Sequence, residues 1–241
     1  MLLFKKRKLK VLAITLARSG SRGIKNKNIA LVNNKPLIYY TIKEAIKSKY
    51  IDDFIVSTDS KEIKKIAEKY GANVPFLRPK KLSSNKSSSV SALKHALRYM
   101  EKKRKFKYDV IIELMCTNPL KEVRDFDACI KKLITKKADS VIAVHELSDH
   151  HPIRIKKIVR GKIVDFELKE KPETRRQDLL PKAYIRSGSI YTLSRKHLMV
   201  DSLRYGSKKS YPYILPASKA INIDEEDDLH LAGYKLRKLN K

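Results

Sequence analysis

Residues 11–28 read VLAITLARSGSRGIKNKN, and their reading decides the fold. The first seven, VLAITLA, are apolar and partly β-branched, with the length of a buried strand. They break into a loop holding Gly20 and Gly23, Ser19 and Ser21, and the cations Arg18, Arg22, Lys25 and Lys27. Glycines let a backbone approach a ligand closely, inward N–H groups donate to it, and cations neutralise its charge. A strand ending in such a loop opens an α/β domain with a polyanion site, and a nucleoside triphosphate suits that site. The spacing fits neither the P-loop GxxxxGK[ST] nor the dinucleotide pattern GxGxxG.

Outward from this stretch, helical and strand periods alternate. Pro36 can open a helix on which Leu37, Ile38, Thr41, Ile42, Ala45 and Ile46 recur at helical spacing. DFIVSTD (53–59) reads as a second buried strand. Ser60 caps the next helix, with Ile63, Ile66 and Ala67 inward and Tyr70-Gly71 as its stop. VPFLRP (74–79) is extended between prolines and carries Arg78 to the edge of the first loop. LSSNKSSS (82–89) is a hydroxyl-rich loop feeding a helix through Val90, Leu93, Ala96, Leu97 and Met100. YDVIIELM (108–115) is a continuous apolar strand apart from Glu113, placed at the sheet centre. CTNPLK follows as another loop, then a helix over 123–134 and a strand over 139–144.

After His145 the texture changes. Alternating segments on either side of Arg160-Gly161 make a β-hairpin over 153–168. Residues 169–181 are polar, and strand character resumes over 183–193. A short helix from Arg195, the segments PYILP and AINID, and a last helix over 225–236 complete the chain. If AINID is a strand, Asn222 and Asp224 face the same side. The order predicts an α/β fold: a mostly parallel twisted sheet with helices on both faces. One unit spans 1–241, with 146–181 as a protruding hairpin excursion. Ligands of such sheets bind at the carboxyl ends of strands, which gathers ARSGSRGIKNKN, Arg78 with LSSNKSSS, CTNPLK and NID along one rim.

Composition narrows the function classes. At 42% hydrophobic residues, the 241-residue chain is too apolar for disorder, and no apolar run approaches the roughly 20 residues that span a bilayer. The basic run Lys5 to Lys10 before VLAITLA resembles a secretion signal, but cleavage after Ala17 would delete the strand and split the loop. A cytoplasmic protein is expected. Cys116 and Cys129 lie too far apart for a CxxC site and read as buried thiols in a reducing compartment. The formal charge of +29 invites a nucleic-acid reading. Lysines, however, are spread over every predicted helix without interleaved aromatics for base stacking. A solvated basic surface that speeds capture of small anions is preferred, and neither membrane nor nucleic acid is expected as a partner.

With these loops in place, the chain resembles the acylneuraminate cytidylyltransferases, the CMP-sialic (nonulosonic) acid synthetases. The family pattern ARxGSKGxxxKN appears as ARSGSRGIKNKN and GKPLI as NKPLI. The VSTD strand end lies at Val56 to Asp59, VPFLRP is unchanged, RRQD stands at Arg175 to Asp178, and DIDTxxDL appears as NIDEEDDL. The resemblance runs from about Val11 to Ala232. It implies a Rossmann-like nucleotidyltransferase that moves CMP from CTP to the anomeric hydroxyl of a nine-carbon 2-keto sugar acid, releasing pyrophosphate.

The resemblance also implies roles. Leu16, Ala17, Arg18, Asn28, Arg78, Asn85, Ser87 and Ser89 fall on nucleotide positions; Arg18, Arg22, Lys27 and Arg176 are catalytic candidates that offset phosphate charge. Met115, Thr117, Asn118, His151, Arg175, Gln177, Arg186 and Ser187 are candidates at the sugar end. For Arg175 and Arg176 a solvated charge run is an equal alternative, and for His151 a plain loop residue. Mg²⁺ is implied as the cofactor, with Asp224 the firmer ligand and Asn222 the weaker. A homodimer through the hairpin is implied too.

Departures cluster at the sugar end. LLQPTSPLR reads ELMCTNPLK at 113–121, so Met115 replaces a glutamine. RPNGAIY reads IRSGSIY, so Ile185 stands at the arginine position and Arg186 one place along. These changes favour a sugar acid other than N-acetylneuraminate, of legionaminic or pseudaminic type. Rival readings are another sugar nucleotidyltransferase of this architecture, an inactive relative, and a nonenzymatic nucleic-acid-binding protein.

Overall fold

The computed structural model describes residues 3–4, 7–20, 23–147, 150–171 and 174–239. Among the described residues, eight strands of four or more residues and six α-helices frame the fold. The strands are β1 (Val11–Leu16), β2 (Asp53–Ser57), β3 (Val110–Leu114), β4 (Ser140–Glu146), β5 (Lys156–Val159), β6 (Lys162–Asp165), β7 (Tyr184–Ser194) and β8 (Ser210–Ile214). The helices are α1 (Leu37–Ala45), α2 (Lys61–Lys69), α3 (Ser89–Arg104), α4 (Val123–Thr135), α5 (Arg195–Met199) and α6 (Glu226–Leu239). Two-residue strand pairs at Leu3–Phe4 with Arg7–Lys8 and at Leu31–Val32 with Lys35–Pro36 flank them.

Six strands form the central sheet in the order β8-β4-β7-β3-β1-β2. β1 is the apolar run with which the chain opens, hydrogen-bonded in parallel to β2 and β3, with Ile14 opposite both Ile55 and Glu113. β7 runs against its neighbours β3 and β4, and β8 is parallel to β4. Five strands therefore share one direction and one opposes them. The mostly parallel α/β expectation holds.

Alternation along the strands supplies both core layers, because successive side chains point to opposite faces. Val11 and Ala13 face a layer with Phe126, Ile130 and Leu133 of α4. Leu12 and Ile14 face Leu93, Leu97 and Met100 of α3 and Leu198 of α5. A third cluster joins α1, α2 and α6 through Ile38, Ile63 and Leu236.

Local chemistry fixes the ends. Ser60 Oγ accepts from the Ile63 N–H and caps α2, while Gly71, at φ 90°, follows its end. Pro36 is extended and caps α1 from outside; the helix stops at Ala45, so Ile46 turns out and is 58% exposed rather than continuing the buried stripe. Arg160 and Gly161 both take positive φ and close the β5–β6 hairpin, as a two-residue hairpin turn requires. The AINID expectation is corrected: residues 221–224 form no strand, and the Ile223 N–H instead donates to the Thr117 carbonyl at 2.8 Å. Among the described residues no helix is long and apolar enough to cross a membrane.

Candidate active site

A cleft of about 670 Å³ opens at the carboxyl ends of β1 and β3. One wall is the loop after β1, with Leu16, Arg18, Gly23, Lys27 and Asn28. Its entry is fixed by Asp59, whose carboxylate accepts from the Ser19 N–H at 3.0 Å and the Ser19 hydroxyl at 2.8 Å. Asn28 Nδ2 donates to the Arg18 carbonyl at 3.0 Å, tying the two ends of the loop together. The Arg18 guanidinium then crosses to the Ser84 carbonyl at 3.1 Å.

The facing wall carries Arg78, Leu82, Ser84, Asn85 and Ser87, then the start of α3 at Ser88, Ser89 and Ala92. Ser88 is the helix cap, accepting from the Ser91 N–H. The 16-residue α3 thus points its N-terminus into the cleft, where unpaired N–H groups and the dipole favour an anion. Ser87 is tied back to the Lys81 carbonyl at 2.6 Å.

Arg78 is held by the Thr58 carbonyl through its N–H and by Ser83 Oγ through Nε at 3.0 Å. It is only 5% exposed, and its Nη2 is buried with no hydrogen-bond partner among the described residues. Burial pulls its pKa down, opposed by Asp59 and aided by Arg18. A buried guanidinium with an unmade hydrogen bond costs free energy that an acceptor in the cleft would recover.

At the far rim Lys27 Nζ donates to Asp224 Oδ1 at 2.8 Å and to the Ile223 carbonyl at 2.7 Å. Asn222 Nδ2 donates to Asp224 Oδ2. The two side chains meet as the sequence suggested, although no strand places them. Gly23 packs on this segment: a Cβ there would lie 2.3 Å from the Asp224 carbonyl oxygen. Among the described residues no three His, Cys, Asp or Glu side chains converge on a metal.

The floor is Glu113, Met115, Thr117 and Gly188. Lys121, 1% exposed, organises it: Nζ donates to Thr41 Oγ1 at 2.7 Å and to the Met115 and Asn118 carbonyls at 2.6 Å each. Burial lowers its pKa to about 8. Thr117 Oγ1 donates to the Gly188 carbonyl at 2.9 Å. Glu113 is ion-paired to Arg204 at 2.6 Å; burial pushes its carboxyl up and the guanidinium pulls it back.

Of the sequence candidates, Leu16, Arg18, Lys27, Asn28, Arg78, Asn85, Ser87, Ser89, Met115, Thr117, Asn222 and Asp224 line the cleft together. Arg22 lies outside the described residues. Ala17 is fully buried, its N–H on the Ser57 carbonyl. Asn118 is fully buried too, its amide spent on the Lys219 carbonyl and the Leu120 N–H. Ser187 is buried against the Ala143 carbonyl, and His151 is held by the Pro181 carbonyl and the Ile153 N–H. Arg186 stacks on Tyr205 at 4.4 Å. Arg175, Arg176 and Gln177 are exposed around a 3₁₀ turn; Arg175 pairs with Asp178 and borders a separate open depression of about 880 Å³ at the hairpin.

Sequence reasoning passed over Lys121, Gly188, Arg204 and the aim of α3. A lone acid in an apolar strand at Glu113 was the one signal that a buried partner exists.

Fold and cleft together define an α/β nucleotidyltransferase. Solved structures of that class share the fold: a CMP:2-keto-3-deoxy-manno-octonic acid synthetase complexed with CTP matches with a TM-score of 0.69 at 16% identity, over 95% of this chain and 99% of that one. A 4-diphosphocytidyl-2C-methyl-D-erythritol synthase from Anaerococcus prevotii matches with a TM-score of 0.65 at 15% identity, over 96% and 100%. The chain belongs to the cytidylyltransferase family, whose model matches residues 12–214. Among its relatives are the post-translational flagellin modification protein B of Campylobacter coli (31% identical; 95% of this chain, 96% of the relative) and a pseudaminic acid cytidylyltransferase of Campylobacter jejuni (31%; 93% and 95%). An N-acylneuraminate cytidylyltransferase of Escherichia coli is 30% identical over 96% of this chain and 53% of its own length.

Proposed function

We propose that the chain transfers CMP from CTP to the anomeric hydroxyl of a nine-carbon 2-keto sugar acid and releases pyrophosphate. The observation that carries this reading is the cleft at the carboxyl ends of β1 and β3, with Arg18, Lys27, the unsatisfied Arg78 guanidinium and the α3 N-terminus converging on it. These groups suit a triphosphate. Displacement at phosphorus places the sugar hydroxyl in line with the departing pyrophosphate, and charge on the transferred and leaving groups must be offset. Arg18 and Lys27 supply that offset from one wall. The relatives that act on pseudaminic and N-acylneuraminic acids support the acceptor class.

Mg²⁺ belongs to the proposal. With Asp224 and the adjacent Glu225 on the cleft rim, the site fits an ion that arrives on the triphosphate, since Mg²⁺ typically takes one or two carboxylates plus substrate phosphates. Bound there, it would neutralise charge on the leaving pyrophosphate. Asn222 holds the Asp224 carboxylate through its amide N–H. A homodimer through the β5–β6 hairpin is part of the same reading, supported by Ile158 and Ile163, 77% and 75% exposed on paired positions. So is a cytoplasmic setting, supported by two free, buried cysteines.

The acceptor is a sugar acid with a more apolar end than N-acetylneuraminate, of legionaminic or pseudaminic type, supported by Met115 on the cleft floor. The test is pyrophosphate release with each of the four NTPs and a panel of 2-keto sugar acids, with and without Mg²⁺. Release with CTP alone among the NTPs, dependent on both acid and Mg²⁺, is the expected result. Turnover of N-acetylneuraminate at least as fast as legionaminate and pseudaminate would overturn the acceptor assignment. Salt-steep binding to RNA or DNA with no pyrophosphate release would favour the nucleic-acid reading instead.

A further inference from the structure

We infer that Glu113, held by Arg204, selects the acceptor by taking a hydrogen bond from one of its N–H or O–H groups; this rests on the CMP-transfer reading above. Glu113 sits on the central strand β3, 1% exposed, and forms part of the cleft floor beside Met115 and Gly188. Its Oε2 accepts from Arg204 Nη1 at 2.6 Å. Among the described residues Arg204 is the side chain that donates to this carboxylate. The Arg204 guanidinium also stacks on the Tyr191 ring at 4.4 Å, and Tyr191 is the cross-strand neighbour of Glu113. The carboxylate is thus held between a stacked cation and its own strand partner.

A buried ion pair of this kind adds little stability beyond what apolar residues of the same volume supply. The motif that ELMCTNPLK resembles has leucine at the Glu113 position, so the strand packs without a charge there. What the pair adds is an acceptor at the floor of the cleft. A carboxylate can only accept hydrogen bonds. Both substrates of the proposed reaction are anions, so neither the triphosphate nor the acid's own carboxylate belongs against Glu113. A neutral donor does: CTP offers its cytosine amino group and ribose hydroxyls, the acid its acylamino N–H and hydroxyls, and the place of Glu113 on the floor beside Met115, at the sugar end, favours the acid. An acid without that donor would cover the carboxylate without pairing it and is rejected, as sites built around buried polar groups reject analogues that lack the partner.

Pyrophosphate release by the wild type, E113Q and the double variant E113L/R204L tests this, with KM measured separately for CTP and for the preferred acid. The double variant removes both charges and keeps a packed floor. The expected result is an acid KM raised about 10- to 100-fold, the range for a hydrogen bond to a charged group, with the CTP KM within about twofold of wild type. A second measurement needs no variant: on the wild type, acids with N-methylated acylamino groups or single missing hydroxyls should include one that loses turnover by a similar factor. An unchanged acid KM in a folded variant, a raised CTP KM in its place, or an analogue series without discrimination overturns the inference and leaves the CMP-transfer reading standing. A wild-type chain that turns over no 2-keto sugar acid overturns both.

Discussion

Arg78 and Lys121 are both buried cations, and they differ in what they lack. Arg78 has an unmade hydrogen bond, whereas Lys121 has three acceptors for its three N–H groups. Replacing Arg78 by methionine removes the Nη2 donor that the fold does not use together with the Nε hydrogen bond to Ser83, so Arg78→Met should cost only about 1 kcal/mol of stability. The same change should raise the CTP KM at least tenfold; thermal melts and steady-state kinetics on one preparation check both. Lys121 predicts a pH effect of two signs. Its pKa in the fold is about 8, against roughly 10.4 for a lysine in an unfolded chain. Below pH 8 it is charged in both states. Between these values the unfolded chain binds more protons, so this group's contribution to stability rises with pH. Activity should fall over the same window, because a neutral amine offers two N–H groups to three acceptors and loosens the loop that carries Met115 and Thr117. Lys121→Arg, which keeps its charge, should flatten both the activity limb and the stability difference from wild type. Melting temperature and kcat/KM measured from about pH 7 to 10 decide it.

At the scale of elements, the cleft is made where three irregular segments touch: the loop after β1, residues 115–121 after β3, and residues 221–224. Gly23 is where the first meets the third, with no room for a Cβ against the Asp224 carbonyl oxygen. Gly23→Ala should therefore push Lys27 and Asp224 apart and lower kcat, while circular dichroism remains that of the folded chain, since β1 and its core partners are untouched. A kcat equal to wild type would show that the Lys27–Asp224 contact does not matter for turnover. The same segments mark what the sequence could and could not reveal. Apolar runs such as VLAITLA and DFIVS are legible because burial on both faces demands them. The helix cap at Ser60 is legible because its chemistry is local. The reversed insertion of β7 between β3 and β4 is not, because strand order comes from long-range pairing that no local period encodes. AINID alternates like a strand, yet Ile221 and Ile223 face the core from an irregular segment. Asn118 and Ser187 sit in motifs that point to a ligand, but their polar groups are spent inside the fold. Only the three-dimensional neighbours reveal that.

For the whole molecule the governing quantity is the formal charge of +29. It acts in opposite directions on the two associations proposed for the chain. CTP and a sugar acid are anions, so a strongly cationic body draws them in, and added salt screens that attraction. Two copies of the chain repel each other, and the same salt relieves the repulsion. The hairpin offers the contact: Ile158 and Ile163 are cross-strand partners on one face and largely exposed, and their burial in a dimer would supply the apolar drive. Raising NaCl from about 0.05 to 0.3 M, where the Debye length falls from roughly 14 to 6 Å, should therefore raise the CTP KM and tighten the dimer over the same range. Sedimentation velocity at several salt concentrations reads the second effect and pyrophosphate release the first. The double variant I158K/I163K adds charge where apolar contact is needed, so it should sediment as a monomer even at the higher salt and keep the helical signal of the wild type. A wild-type chain that is monomeric throughout, or a dimer that the variant leaves intact, would place the contact elsewhere or nowhere. A dimer that weakens as salt rises would show that specific ion pairs, such as those Lys156 makes with Asp165 and Glu170 at the hairpin base, have counterparts across the interface that outweigh the net repulsion.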